Sequence, residues 1–308
     1  MAEYFMPEPM DGTLKKLWAW VSTGKRFRPA FPRAVQFQTL STCNARCTFC
    51  PHGQTPREIS HGRMDDALFY KIVDECSRHF ITRISPYLTN EPLLDERMPR
   101  MLSHITKKKM PGTKTKINSN GALLTHELSR EILASGLDSL WFSVNGYSPG
   151  TYRASMDLDL DRTLGNIDAF LDLRDRLGGK RPRVVITTLH TRIVEPELDY
   201  ARKYWEPRGV VFKIHHMDNR AGEVVAGNRP KYGEPALKRG CDLFLKQAYI
   251  VENGDMILCC HDWRQSVVVG NIRNRSIAEV WNSERFATLI REYFAEDFSN
   301  LEICRACR

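Results

Sequence analysis

The chain has 308 residues, of which 42% are hydrophobic and 27% charged, and it carries a formal net charge of +8. This composition excludes a largely disordered chain, and no run of about 18 apolar residues indicates a membrane span. The basic balance is compatible with an anionic substrate, an acidic electron carrier or a nucleic acid.

The N-terminal sequence lacks a basic region leading into an apolar one, so we expect a cytoplasmic protein. In that reducing environment, the nine cysteines are better evidence for metal binding or catalysis than for disulfides. The first 33 residues form a predicted N-terminal extension, in which "LKKLWAWV" predicts a short amphipathic helix.

Between residues 34 and 230, strand-like and helix-like segments alternate. The predicted strands are residues 34–40, 83–88, 113–119, 139–144, 183–190 and 210–216. Six strand–helix units in series predict parallel strands that curl into a partial (β/α)6 TIM-like barrel, an α/β fold with its helices outside. The chemistry of such a fold lies in the loops that follow the strands.

Three cysteines follow the first predicted strand, at Cys43, Cys47 and Cys50. A structural zinc site takes four ligands and a disulfide two, so either a fourth ligand lies elsewhere or one coordination position is open. The spacing resembles the signature of radical S-adenosylmethionine (SAM) enzymes. The resemblance implies that these thiolates hold a 4Fe-4S cluster whose fourth iron binds SAM. Phe49 resembles the family's residue near the adenine, although it could equally be a core residue.

Three further segments, each after its own predicted strand, resemble SAM-binding segments of the same family. "LTNEPLL" resembles the Gly-Gly-Glu-Pro segment without its glycines, and its carboxylate suits the SAM ammonium group. "NSNG" and "SVNG" resemble the segments after the third and fourth strands, with an asparagine in place of an acid in the latter. The implied SAM contacts are Asn90, Glu91, Asn118, Asn120, Ser143 and Asn145. Each tetrapeptide alone would more often be a turn.

The pattern changes in residues 231–308, where "KQAYIVENGDMILCCHDW" predicts a hairpin and "SIAEVWNSERFATLIREYF" a helix. The segment resembles the SPASM and twitch domains of some radical SAM enzymes, which implies a small α+β domain with one auxiliary 4Fe-4S cluster. The implied ligands are Cys241, Cys259, Cys304 and Cys307. From spacing alone, a four-cysteine zinc ribbon is the alternative.

Two cysteines remain. Cys76 lies on the apolar face of a predicted helix, which indicates a buried small hydrophobe. Cys260 follows a predicted cluster ligand directly, and it is either a packed thiol or a hydrogen-atom donor of the kind that radical epimerases use.

The resemblance implies an oxidoreductase similar to enzymes of the 2-deoxy-scyllo-inosamine dehydrogenase type. In such an enzyme a 5′-deoxyadenosyl radical takes hydrogen from a small alcohol, sugar or aminocyclitol, and an electron passes to the auxiliary cluster. A radical epimerase or peptide-modifying enzyme is the alternative, and a zinc-stabilised nucleic-acid-binding protein is a distant one. The expected partners are a small-molecule substrate and an acidic electron donor such as flavodoxin or ferredoxin, without a membrane or nucleic acid.

Candidate substrate residues lie at or beyond the ends of the fifth and sixth predicted strands. We expect Arg220 to anchor the substrate and either His190 or His215 to remove its hydroxyl proton, with Lys213 close by. These predictions depend on strand register, because a slip by one residue moves a side chain to the opposite face.

Overall fold

A computed structural model describes residues 28–53, 62–224, 241 and 243–307. The predicted amphipathic helix of the N-terminal extension and the predicted boundary at residue 231 both lie outside these residues.

Six parallel strands form the barrel sheet. They are β1 (Ala34–Phe37), β2 (Arg83–Ser85), β3 (Lys114–Ser119), β4 (Ser139–Ser143), β5 (Arg183–His190) and β6 (Val211–His216), and they neighbour each other in chain order. The predicted partial barrel is therefore confirmed. Strand β2 is shorter than predicted because Pro86, which lacks a backbone N–H, follows its last residue.

Helices connect the strands. They are α1 (Asp66–Cys76), α2 (Met98–Lys108), α3 (His126–Ala134), α4 (Pro149–Met156), α5 (Leu160–Arg176) and α6 (Leu198–Trp205). Side-chain caps set several of their starts, since Asp65, Thr125, Ser148 and Asp159 each accept a hydrogen bond from the first turn of the helix that follows. No described helix has a stretch long and apolar enough to cross a bilayer.

The C-terminal segment continues the barrel sheet. It contains α7 (Leu243–Lys246), β7 (Gln247–Ile250), β8 (Asp255–Ile257), β9 (Val268–Asn271), α8 (Ile277–Trp281), α9 (Glu284–Phe294) and α10 (Glu302–Ala306). Strand β7 pairs in parallel with β1, and β8 and β9 follow it in antiparallel order. The helix predicted as one piece is broken into α8 and α9 because Ser283 caps a new helix.

The C-terminal helices share a core with the first part of the barrel. The buried side chains of Leu68 and Ile72 on α1 belong to the same cluster as Trp281 and Phe286. The carboxylate of Glu75 accepts hydrogen bonds from the first two backbone N–H groups of α8, at 2.8 and 2.9 Å. These contacts hold the C-terminal cysteines at a defined place beside the barrel.

Candidate active site

The inner face of the sheet surrounds an open cavity of about 650 Å³. Residues two positions apart on a strand face it, such as Lys116 and Asn118 on β3 and Trp141 and Ser143 on β4. The loop after β1 and the C-terminal segment contribute to the same wall. One cavity therefore brings together residues from both cysteine-bearing parts of the chain.

All three N-terminal cysteines, Cys43, Cys47 and Cys50, line this cavity. Hydrogen bonds to helix α4 hold their loop in place. The backbone N–H groups of Arg46 and Thr48 each donate, at 3.0 Å, to a backbone carbonyl at the C-terminal end of α4. The predicted triplet is thus presented on an ordered loop that faces open space.

Burial raises the pKa of Cys43 to about 11 and also raises the pKa of Cys47, with the neighbouring thiols adding to the effect. Without a metal these thiols are protonated at neutral pH, so a cluster that binds here must displace their protons. Three thiols around an open cavity fit an iron–sulfur cluster that leaves one iron accessible.

Glu91 lies beside this loop and is almost fully buried. Its Oε1 accepts hydrogen bonds from the Leu93 amide at 3.1 Å and the Ser119 hydroxyl at 2.8 Å, and its Oε2 accepts from the Asn120 amide at 2.7 Å. Burial raises the pKa of Glu91 to about 7 despite these donors. A carboxylate oxygen has two acceptor positions, so Oε2 can also accept from the ammonium group of SAM.

Two buried polar atoms beside Glu91 have no hydrogen-bond partner among the described residues. They are Nδ2 of Asn90 and Oδ1 of Asn118, and both side chains line the cavity. Oδ1 of the same Asn90 amide accepts a hydrogen bond from the Leu88 backbone N–H at 3.1 Å, which fixes the orientation of the side chain. Since buried polar groups are normally paired, these atoms fit a ligand that offers both an acceptor and a donor, as SAM does.

Some of the remaining predicted SAM contacts already form hydrogen bonds within the protein. Asn120 donates to Asn44 at 2.8 Å, and Oδ1 of Asn145 accepts from the Leu189 amide at 2.7 Å. Ser143 and Phe49 both line the cavity, and Phe49 also belongs to the barrel core. The structure therefore brings all the predicted SAM residues to one cavity, and Asn120 and Asn145 also hold the surrounding loops.

The glycine of "SVNG" is required by the fold. Gly146 has a φ of +147°, and a Cβ there would lie 2.7 Å from the backbone nitrogen of Tyr152 in α4. Only glycine allows this close approach of the loop after β4 to the helix that follows it.

The four C-terminal cysteines, Cys241, Cys259, Cys304 and Cys307, line a second, smaller cavity with apolar walls. Burial and then the nearby thiols raise the pKa of Cys304 to about 12. Among the described residues no three His, Cys, Asp or Glu side chains are placed to hold a single metal ion. Because the four thiols surround a cavity, they fit a cluster better than a lone zinc ion.

Cys260 and Arg220 lie between the two cysteine sets. Cys260 lines both cavities. Arg220 lines the larger one; its guanidinium lies 3.4 Å from Oδ1 of Asp218 and 3.4 Å from Nε2 of His261. The predicted anchor therefore faces the cavity with part of its charge already paired.

The structure brings only one of the two predicted histidines to the cavity. His215 lines it, and burial followed by nearby cations lowers the pKa of this imidazole. His190 is not among the lining residues; its Nε2 lies 3.5 Å from Oε1 of Glu195, and its ring lies 6.0 Å from that of His216. His215 is therefore the remaining candidate for the base that removes the hydroxyl proton.

Cys76 is buried in the core, as predicted.

Lys116, Arg83 and Trp141 were missed as site residues. The ammonium of Lys116 lies 3.4 Å from the centroid of the Trp141 ring, and that of Lys213 lies 5.0 Å from it. The sequence "TKTKINS" could have indicated Lys116, because side chains alternate between the two faces of a strand and Lys116 therefore shares a face with Asn118.

Lys116 should titrate far below an ordinary lysine. Burial, followed by repulsion from Arg83 and Lys213, lowers its pKa to about 7. In protein labelled with ¹³C at lysine Cε, one resonance should shift with a midpoint near pH 7, and Lys116→Met should remove it. Lys114→Met is the matched control on the same strand and should keep it. If every lysine titrates near its ordinary value of 10.5, the described environment of Lys116 is contradicted.

Two family models match the sequence. The radical SAM superfamily model matches residues 38–176, and the SPASM model, an iron–sulfur cluster-binding domain, matches residues 241–308. These ranges contain the three N-terminal and the four C-terminal cysteines respectively. The second match favours an iron–sulfur domain over the zinc alternative.

Two curated relatives match most of the chain at low identity. An S-adenosyl-L-methionine-dependent 2-deoxy-scyllo-inosamine dehydrogenase of Niallia circulans is 21% identical over 89% of this chain and 91% of its own length. A tungsten-containing aldehyde ferredoxin oxidoreductase cofactor-modifying protein of Pyrococcus furiosus is 22% identical over 89% of this chain and 88% of its own.

Solved structures share the fold. BtrN in complex with AdoMet and 2-DOIA aligns with a TM-score of 0.61 at 20% identity, covering 90% of this chain and 92% of BtrN. Streptococcus suis SuiB bound to the precursor peptide SuiA aligns with a TM-score of 0.70 at 12% identity, covering 94% of this chain and 74% of SuiB. At these identities the likeness establishes the architecture.

Proposed function

Because this chain is a radical SAM enzyme with a C-terminal SPASM-like domain, we propose that it is an oxidoreductase that removes two hydrogens from a small polar molecule. The observation that carries the proposal is the shared cavity, which is lined by the N-terminal cysteine triplet and by Cys260, the neighbour of a C-terminal cluster ligand. The resemblance in sequence to a SAM-dependent dehydrogenase supports it.

The proposal gives each group of residues a role. Cys43, Cys47 and Cys50 hold the cluster that binds SAM, Glu91 and Asn90 bind the SAM amino acid, and the four C-terminal cysteines hold the auxiliary cluster. When bound, these cofactors supply a 5′-deoxyadenosyl radical that takes the first hydrogen atom and a cluster that accepts the remaining electron. The predicted division at residues 34–230 and 231–308 and the acidic electron donor remain part of the proposal.

The protein's own part in the oxidation is to bind the substrate and remove a proton. An alcohol becomes a carbonyl by losing a hydrogen atom from carbon, a proton from oxygen and one electron. His215 is the proposed base, because its lowered pKa leaves the imidazole neutral and able to accept that proton. Arg220 is the proposed anchor beside it.

Peptide modification or epimerisation is the second candidate. Cys260 lines the cavity, where a thiol can return a hydrogen atom to a substrate radical, and SuiB, which shares the fold, was solved with a precursor peptide. The dehydrogenase is favoured because the relative with that activity is matched over nearly its whole length, whereas 74% of SuiB is covered.

The experiment follows the mass of the substrate. Reduced, anaerobically reconstituted enzyme is incubated with SAM and candidate alcohols, sugars, aminocyclitols and peptides. We expect one substrate to lose two hydrogens while an equal amount of 5′-deoxyadenosine forms. A product whose mass is unchanged in H2O and rises by one deuterium in D2O would instead identify an epimerase.

Replacing Cys260 by alanine separates the two candidates further. We expect oxidation to fall less than about tenfold, because an auxiliary cluster with four other thiols keeps its ligands. Cys259→Ala is the matched control at the neighbouring residue, a proposed cluster ligand, and this variant should lose the auxiliary cluster. If the wild type forms a product of unchanged composition and Cys260→Ala, with both clusters present, forms none, hydrogen donation by this thiol replaces oxidation.

A further inference from the structure

Three cations on one wall of the main cavity have no carboxylate partner among the described residues. Arg83 and Lys116 line the cavity, and Lys213 lies beside them on the Trp141 ring. In the described part of the chain Lys116 and Lys213 make cation–π contacts with that ring and no ion pair. Arg83 and Lys116 are partly buried, and a partly buried positive charge without a counter-charge is costly without a ligand.

The carboxylates that do line this cavity are committed elsewhere. Glu91 accepts three hydrogen bonds from the loops around the predicted SAM site. Asp218 lies within 3.5 Å of both Arg220 and His261. Neither carboxylate forms an ion pair with Arg83 or Lys116, so this wall is short of negative charge.

Arg83 also carries an unsatisfied donor. Its Nη2 donates to the side chain of Gln247 at 2.5 Å, while its buried Nε has no partner among the described residues. The contact with Gln247 fixes the guanidinium between β2 and β7. An oriented guanidinium with an unpaired Nε–H is suited to an oxyanion, which can accept a charge-assisted hydrogen bond from it.

The lowered pKa of Lys116 links its protonation to anion binding. Repulsion by Arg83 and Lys213 adds to burial in lowering its pKa to about 7. A bound anion would favour the charged ammonium and raise this pKa, so it would bind with uptake of a proton by Lys116 near neutral pH.

We propose that the substrate carries an anionic group, a carboxylate or a phosphate, which binds to Arg83 and Lys116 against the Trp141 wall. The inference rests on the proposed function, since it names the class of molecule that this oxidoreductase accepts. It differs from an aminocyclitol substrate, whose ammonium group this wall would repel. Lys213 adds long-range attraction.

The main competing occupant is the carboxylate of SAM itself. The residues that fit SAM are Glu91, Asn90 and Asn118, which cluster with the cysteine triplet, whereas Arg83 is the first residue of its strand. The two assignments are separated by measuring SAM and anion affinities in the same variants.

The test titrates inorganic phosphate and, separately, acetate into anaerobically reconstituted enzyme saturated with SAM, using calorimetry. We expect saturable binding at one site, and the tighter anion identifies the group on the substrate. Arg83→Met and Lys116→Met should each weaken it by about tenfold or more, as expected for one charge-assisted hydrogen bond. Lys114→Met is the control, because Lys114 lies on the same strand but is exposed, 3.8 Å from Asp138.

Several outcomes would overturn the proposal: no saturable binding of either anion up to about 50 mM, equal binding by all variants, or variants that weaken SAM binding and spare the anion. Iron content and circular dichroism establish that each variant is folded, and Arg83→Gln and Lys116→Gln replace any variant that is not. Substrate oxidation is scored separately. Anion binding without SAM cleavage would refute the oxidoreductase alone, and oxidation of a substrate without anion binding would refute this inference alone.

Discussion

The Cys304→Ala variant is expected to cleave SAM but to lose substrate oxidation by at least about 100-fold, because a direct ligand should matter more than an outer-shell partner, whose loss costs about 10–100-fold. Cys304 is one of four thiols around the smaller cavity and does not line the larger one. Its loss opens the auxiliary site and leaves the triplet and Glu91 in place. The measurement compares 5′-deoxyadenosine with oxidised product in single turnovers.

Iron content gives an independent measure of the same change. The wild type should hold about eight irons in two cubane clusters and the variant about four. Cys47→Ala should also fall to about four irons, but it should lose SAM cleavage and oxidation together. Cys76→Ala is the matched cysteine control, because Cys76 is buried in the core and lines neither cavity, and it should keep all the iron and both activities.

A Cys304→Ala variant that oxidises substrate at the normal rate with about four irons would show that the auxiliary cluster takes no electron from the substrate. The proposed oxidation would then need another electron acceptor. Loss of SAM cleavage in this variant, with the first cluster present, would instead show that the two sites are coupled.

Local sequence patterns predicted the barrel well because each strand and its following loop are adjacent in the chain. The predicted fifth strand coincides with β5, and Glu91 and the asparagines at or beyond the ends of β2, β3 and β4 all line one cavity. The N-terminal triplet could be recognised from its short spacing, whereas the C-terminal set, spread from Cys241 to Cys307, was implied by the resemblance to SPASM and twitch domains.

Contacts between distant segments could not be predicted in this way. The parallel pairing of β7 with β1 joins residues more than two hundred positions apart, and it places Gln247 against Arg83. His190 shows the limit at single-residue resolution, since the strand was predicted correctly but its last side chain contacts Glu195 instead of lining the cavity. Lys116 was missed because its role depends on the charges of Arg83 and Lys213 from other strands.

The Glu91→Gln variant should bind SAM about 10-fold to 100-fold more weakly, because a charge-assisted hydrogen bond to the SAM ammonium contributes roughly 1.5–3 kcal/mol. The amide also destabilises the fold. Both oxygens of Glu91 accept from backbone N–H groups, those of Leu93 and Asn120. In either orientation of the glutamine amide, one of these two backbone N–H groups would face the new NH2 group. Leaving that donor unpaired costs about 1–3 kcal/mol.

The matched control is Glu75→Gln, because Glu75 also accepts from two backbone N–H groups but lies on α1, away from the cavity. It should lower stability to a similar extent and leave SAM affinity unchanged, which separates loss of the SAM contact from loss of fold. The pH dependence gives a further signature. The pKa of Glu91 is raised to about 7, so the carboxylate that attracts an ammonium forms as pH rises through 7. SAM affinity of the wild type should therefore increase over that range, and the increase should be absent in Glu91→Gln; equal affinities and parallel pH profiles would remove Glu91 from the SAM site.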